Sequence, residues 1–207
     1  MCQRSAPAST GLALALALPL FAGCGHGATE GHPAPGPTPA PLAVVTAAAE
    51  IAALGTSGVH GRLTLTRVDA GVKIEGRIEG LPPTSAHGFH VHEKGDCSAA
   101  DGASAGGHFN PMATMHGPMD AADSHAGDLG NLTADRLGVA QVALTKLGVS
   151  LADGGPADLV GRGVIVHALV DDLKTQPTGA SGARIACGVV KASTPDAPAP
   201  AIATPSP

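Results

Sequence analysis

The chain has 207 residues, a formal net charge of −5 and 14% charged residues. Nucleic-acid-binding proteins generally carry an excess of basic residues, so this charge balance argues against that class of function. The sequence has no tryptophan or tyrosine and three phenylalanines, so a core must be built mainly from valine, leucine, isoleucine and alanine. Without its atypical ends, the chain has the length of one ordinary domain.

Residues 1–23 are typical of a secretory signal peptide. Arg4 precedes an apolar run at 11–22, which is too short to cross a bilayer because a spanning helix needs about 20 residues. Small residues then precede Cys24, as in the cleavage site of bacterial lipoproteins. This predicts that Cys24 is the lipidated first residue of the mature chain, in the periplasm or cell envelope, and that this lipid is its only membrane contact. Simple secretion with a spare thiol at Cys24 is the alternative.

Proline, alanine and glycine dominate residues 24–42 and 192–207, and such segments cannot bury a core. We predict a linker in the first segment, a tail in the second and one folded domain at 43–191. His26 and His32 lie in the linker, where solvated side chains are a simpler interpretation than metal ligands.

The domain shows the pattern of short strands. Residues 47–54 favour a helix by propensity. From Gly58, however, apolar and polar residues alternate on both sides of a turn at 69–71, which predicts a hairpin with one buried face. Further strand-like runs occupy 138–145, 163–168 and 186–191. Many short strands with glycine-rich turns predict an all-β sandwich or barrel.

His90 and His92 are separated by one residue in a strand-like stretch. In a strand, such residues share one face, while Phe89 and Val91 would point into the core. Two imidazoles on one face can begin a copper or zinc site. A half-exposed strand with a histidine-bearing polar face explains this pair equally well.

A long irregular stretch then carries His108, His116, His125 and Asp128. Long irregular loops in compact domains are usually functional or disordered, and a bound metal would order this one. Three imidazoles and a carboxylate suit a closed zinc site, whereas four imidazoles suit Cu(II).

These segments together resemble the copper/zinc superoxide dismutase family, of the bacterial extracytoplasmic type. The matching segments are Gly-Phe-His-Val-His at 88–92, Gly-Gly-His-Phe-Asn-Pro at 106–111, His116, His-Ala-Gly-Asp-Leu-Gly-Asn at 125–131, Val-His at 166–167 and Gly-Ala-Arg-Ile-Ala-Cys-Gly at 182–188. The resemblance covers roughly residues 58–191. It implies a Greek-key β-sandwich or flattened barrel of about eight antiparallel strands with long metal-binding loops, and its register places the first strand within residues 43–54.

The resemblance also implies one copper and one zinc per chain. The implied copper ligands are His90, His92, His108 and His167. The implied zinc ligands are His108, His116, His125 and Asp128, so His108 would bridge both metals and hand on a proton during catalysis. The implied activity converts superoxide to oxygen and hydrogen peroxide by copper redox cycling, in a monomer or a homodimer.

Other residues take roles from the same resemblance. Asp171 would link a copper histidine to a zinc histidine, with a surface carboxylate as the alternative. Arg184 would attract superoxide, with a surface arginine as the alternative. The family pairs cysteines that match Cys97 and Cys187, and a secreted protein favours such a disulfide.

Two questions stay open in the sequence. Met112, Met115 and Met119 lie around the predicted zinc ligands, where gap-filling or surface positions are simpler interpretations than transient copper binding. The alternative function is a copper-buffering protein that keeps the fold without turnover.

Overall fold

The structure is a computed structural model, and it describes residues 44–193. Every described residue belongs to one compact unit. The predicted signal peptide, Cys24, the linker histidines His26 and His32, and the tail after residue 193 lie outside the described residues. Within residues 44–193, no helix is long and apolar enough to cross a membrane.

The described residues form an all-β fold in which eight antiparallel strands make a nearly closed barrel. The strands are β1 Thr46–Ala53, β2 His60–Val68, β3 Gly71–Glu79, β4 Ala86–His92, β5 Asp128–Thr133, β6 Ala140–Leu147, β7 Gly163–His167 and β8 Arg184–Val189, with a short β9 at Lys191–Ala192 that pairs with β1 and a 3-10 turn at Ala103–Ala105. Their order is β5-β4-β7-β8-β1-β2-β3-β6. The β3–β6 and β4–β7 pairings require crossovers, as in a Greek key, so the predicted fold class is confirmed.

Strand β1 occupies the segment that favours a helix by propensity. Ala47, Ala49 and Ile51 are buried while Glu50 and Ala52 are exposed, and this alternation has the period of a strand. The strand pairs with β2 along most of its length and with β8 at its end. Pairing with neighbours therefore overrides local propensity, and the strand implied by the family resemblance is present.

Strands β2 and β3 form the predicted hairpin. Leu63 and Leu65 of β2 and Ile74 and Ile78 of β3 are buried in the core. The core also contains Phe89, Val91, Leu129, Leu132, Val142, Val164 and Val166.

Strand β4 lies between β5 and β7. Phe89 and Val91 point into the core, as predicted, and His90 and His92 are also completely buried. The alternative of a half-exposed strand with histidines on its solvent face is therefore wrong. The histidines are enclosed because His108 packs against His90 with ring centroids 4.0 Å apart, and Asp171 contacts it from another segment.

Two irregular segments supply those contacts. The long loop (93–127) joins β4 to β5, and the second loop (168–183) joins β7 to β8. Asp128, which the sequence pattern placed in an irregular stretch, is the first residue of β5. A disulfide between Cys97 and Cys187, with Cα atoms 5.8 Å apart, attaches the long loop to β8 and confirms the predicted pair.

We expect the double variant Cys97→Ser, Cys187→Ser to lose up to about 4–5 kcal/mol of unfolding free energy, because the bond closes a loop of 90 residues in the unfolded chain. Urea unfolding of the metal-free chain measures this loss. Wild type treated with a thiol reductant is the control and should match the variant. A loss below about 1 kcal/mol would contradict the expectation.

Candidate metal centre

The structure brings the predicted copper ligands together in one buried group, here called the copper-side group. Its members are His90, His92, His108 and His167, and their ligand atoms lie within 4.8 Å of one another. The pairing of β4 with β7 brings His167 near His90 and His92. An isolated antiparallel bridge from His92 to His108 brings in the long loop.

Two histidines of this group face each other through their Nε2 atoms. His92 Nδ1–H donates to the Gly106 carbonyl at 3.0 Å, and His167 Nδ1–H donates to the Gly182 carbonyl at 3.2 Å. In neutral imidazoles, both Nε2 atoms then carry lone pairs, yet they lie only 3.3 Å apart. A cation accepting both lone pairs resolves this contact, so the arrangement fits a metal ion.

Three ring nitrogens are buried without any hydrogen-bond partner among the described residues: His90 Nδ1, His108 Nε2 and His125 Nδ1. A buried polar atom without a partner is costly. For His90 the cause is visible, because its Nε2–H donates to Asp171 Oδ2 at 2.8 Å and leaves Nδ1 as the lone-pair atom. Coordination to a metal would satisfy these nitrogens.

Burial keeps the imidazoles of His90, His92 and His167 neutral. It lowers the pKa of His90 to about 4, although the hydrogen bond to Asp171 acts in the opposite direction. Burial likewise lowers the pKa of His92 to about 2 and that of His167 to about 3. At neutral pH these rings have lone pairs available for a metal, and the His90–Asp171 contact is a hydrogen bond from a neutral imidazole to a carboxylate.

The predicted zinc ligands form a second buried group, here called the zinc-side group, of His108, His116, His125 and Asp128. One carboxylate oxygen, Asp128 Oδ1, lies 2.9, 3.0 and 3.2 Å from the Nδ1 atoms of His108, His116 and His125. The other oxygen, Oδ2, accepts backbone N–H groups of Gly117 and His125, each at 3.0 Å. Three imidazole nitrogens around one carboxylate fit a closed zinc site.

Asp128 is charged despite its burial. Burial would raise the pKa of Asp128, but hydrogen bonds from His108 and the Gly117 backbone outweigh it and hold that pKa well below its usual value. Burial also lowers the pKa of His125. The zinc-side group therefore offers an anionic oxygen to a cation at neutral pH.

His108 belongs to both groups. Its Nδ1 faces Asp128, and its unpartnered Nε2 belongs to the copper-side group. One imidazole can ligate two cations in this way only if they stabilise its anionic form.

Asp171 lies between the two groups and is almost fully buried, so the alternative of a surface carboxylate does not fit the structure. Its Oδ2 accepts His90 Nε2–H and its Oδ1 accepts His116 Nε2–H, each at 2.8 Å. Burial would raise the pKa of Asp171, but these hydrogen bonds and one from the Leu173 backbone lower it. Asp172 is exposed and accepts hydrogen bonds within its own turn instead.

Several residues that support the site were not assigned a role from the sequence. His87 Nδ1–H donates to the His167 carbonyl at 2.8 Å. The Asn131 carboxamide holds the Asp171 backbone through bonds of 2.9 and 2.8 Å. A Cβ at Gly179, where φ is 62°, would lie 1.8 Å from Asp171 Oδ1. His87 directly precedes the motif at 88–92 and Asn131 ends the motif at 125–131, and these positions are the local signal for them.

Arg184 begins β8 opposite His167. Its guanidinium donates to the carbonyls of Gly102 and Gly106 in the long loop. Burial is the main cause of the lowered pKa values of His92 and His167, and the positive charge of Arg184 lowers them further. The guanidinium therefore lies close to the copper-side group.

The three methionines of the long loop are less buried than the predicted ligands. Met112 and Met115 are exposed, and Met119 is half-buried.

Comparisons with known proteins agree with this site. The sequence profile described as copper/zinc superoxide dismutase (SODC) matches residues 59–190. The chain is 37% identical to "Superoxide dismutase [Cu-Zn] 2" of Aquifex aeolicus (strain VF5), over 67% of this chain and 83% of that protein. It is 43% identical to "Extracellular superoxide dismutase [Cu-Zn]" of Drosophila melanogaster, over 64% of this chain and 75% of that one.

A solved structure supports the same relationship. The crystal structure of a SOD-like protein from Bacillus subtilis aligns with a TM-score of 0.62 and 35% identity, covering 69% of this chain and 96% of that protein. Copper and zinc are the cofactors of this chain, and the dismutation of superoxide is its activity. The profile match, the barrel and the two buried ligand groups lead to one conclusion: the chain belongs to the copper/zinc superoxide dismutase family.

Proposed function

We propose that this enzyme works outside the cytoplasm, with copper on His90, His92, His108 and His167 and zinc on His108, His116, His125 and Asp128. The observation that carries the proposal is the position of His108. Its two ring nitrogens face two buried ligand groups that share no other residue.

When bound, copper would supply one-electron redox chemistry, by which one superoxide is oxidised to oxygen and a second, with two protons, is reduced to hydrogen peroxide. The protein's own residues guide the anion and the protons. Arg184 attracts superoxide by charge and orients it through guanidinium N–H groups. Its bonds to the carbonyls of Gly102 and Gly106 hold that guanidinium in place.

His108 is the residue that we propose to hold and release a proton. The atom is Nε2, which has no hydrogen-bond partner among the described residues. Nδ1 stays turned toward the zinc-side group, 2.9 Å from Asp128 Oδ1, while the proton resides on Nε2. Asp171 similarly orients His90 and His116 by accepting both Nε2–H groups, which directs both Nδ1 atoms toward the ligand groups.

The extracytoplasmic location rests on two supports. Disulfides such as Cys97–Cys187 persist mainly in oxidising compartments. The first 23 residues have the pattern of a signal peptide that ends before Cys24. We infer that lipid on Cys24 anchors the mature domain, and that residues 24–42 act as a spacer.

Replacing His167 by Ala should lower dismutation by at least about 100-fold and leave zinc bound, because His167 belongs only to the copper-side group. The measurement is the dismutation rate together with copper and zinc content. His60→Ala is the control, since His60 is exposed at the start of β2. Full activity in His167→Ala would remove this residue from the proposed copper site.

Replacing Cys24 by Ser should release the protein from membranes, because the acylated thiol would be lost. Fractionation of cell envelopes without detergent measures the change. Cys2→Ser is the matched control, since it removes a thiol from within the signal peptide and should leave the protein on membranes. Persistent membrane association of Cys24→Ser would refute the anchor.

A further inference from the structure

Gln176 makes contacts that neither ligand group accounts for. It lies in the second loop, and its side-chain Oε1 accepts the backbone N–H of His116 at 2.8 Å. Its Nε2 donates to the carbonyl of His116 at 2.9 Å and to that of Lys174 at 3.0 Å. If the Gln176 carboxamide were rotated by half a turn, its oxygen would face two carbonyl oxygens. The three partners therefore fix the orientation of the carboxamide.

The His116 backbone depends on this side chain. His116 lies outside the strands, in the long loop, and within residues 44–193 its N–H and carbonyl make no other hydrogen bond to protein. His116 itself is buried. Without Gln176, a buried ligand residue would therefore have two backbone groups without protein partners.

The position of the His116 backbone controls the contacts of both ring nitrogens. Nδ1 lies 3.0 Å from Asp128 Oδ1 in the zinc-side group, and Nε2–H donates to Asp171 Oδ1 at 2.8 Å. A shift of the backbone would disturb both contacts together, because the imidazole is rigid. Holding the peptide at both N–H and C=O restrains such a shift.

A local turn presents Gln176 to the long loop. Asp172 Oδ1 accepts the backbone N–H groups of Lys174 at 2.9 Å and Thr175 at 2.8 Å. Gly179 N–H then donates to the Thr175 carbonyl at 2.6 Å. The turn is therefore stabilised by its own residues, and Gln176 extends from it as an exposed residue whose carboxamide is engaged.

We propose that Gln176 is a positioning residue for the zinc-side group, and that it couples zinc binding to the ordering of residues 172–182. The coupling rests on the proposed zinc ligands. It acts through the backbone of His116, whereas the link through Asp171 acts through the ring. Because coupling is reciprocal, an ordered second loop would favour zinc, and bound zinc would order the loop.

The test compares the full chain with its variants Gln176→Ala and Gln141→Ala. Gln141 is exposed on β6, so Gln141→Ala makes the same chemical change on the surface of a strand. Zinc affinity is measured by competition with a chelator. Amide hydrogen exchange is followed at His116 and at residues 172–182, with and without zinc, and thermal unfolding is followed without metal.

We expect Gln176→Ala to bind zinc about 10-fold more weakly and its His116 amide to exchange about 10-fold faster. The reason is the loss of the two hydrogen bonds that Gln176 makes to the His116 backbone, each of which has a modest net free energy. Zinc should protect residues 172–182 in wild type and in Gln141→Ala, and protect them much less in Gln176→Ala. The metal-free unfolding temperatures of the two variants should agree, because the coupling implies that the Gln176 bonds are fully formed only when zinc orders the second loop. A merely structural role would instead lower that temperature in Gln176→Ala.

If wild type binds zinc normally and Gln176→Ala has the same zinc affinity and loop protection, the positioning role is overturned and the proposed zinc ligands are not affected. A loss of zinc affinity matched by an equal loss of metal-free stability would also overturn it. If wild type itself bound no zinc, the proposed ligand assignment would fail, and the coupling would fail with it.

Discussion

The metal centre depends on the different roles of the two ring nitrogens in each imidazole of the copper-side group. The protein engages one nitrogen of His90, His92 and His167 with a carboxylate or a carbonyl, so the lone pair of the other nitrogen is directed into a buried space. Burial keeps these rings neutral, as their lowered pKa values show. A buried cluster of inward-directed lone pairs is unfavourable alone and favourable around a cation. A bound metal ion therefore stabilises the arrangement of histidines that the fold produces.

The barrel supplies the rigid part of this arrangement, and the loops supply the rest. His90 and His92 lie on β4, His167 ends β7 and Asp128 begins β5, and these strands are neighbours in the sheet. The loops bring the remaining proposed ligands, and the side chains of Asp171 and Gln176 form hydrogen bonds from the second loop to the long loop. The Cys97–Cys187 disulfide attaches the long loop to β8, the strand that begins with Arg184. The proposed ligands in the loops are thereby held at several points without being part of a strand.

The sequence predicted those parts of the structure that have local periodicity or a dense motif. The β2–β3 hairpin followed from alternation, and the placement of His90 and His92 on one face followed from their spacing. Residues 47–54 were ambiguous because alanines favour a helix locally, while pairing with β2 and β8 decides the strand. The contact of Gln176 with His116 spans 60 residues of sequence, and no periodicity signals a contact between two loops. The bonds from Asn131 on β5 to Asp171 in the second loop span 40 residues and have no periodic signal either.

The most direct test of this account is the metal content of the chain together with its rate of superoxide dismutation, before and after selective removal of copper. The account predicts one copper and one zinc per chain, rapid dismutation, loss of activity with copper and recovery when copper is restored. Both metals bound without turnover would contradict it. That result would favour a copper-buffering protein and direct attention to the approach past Arg184.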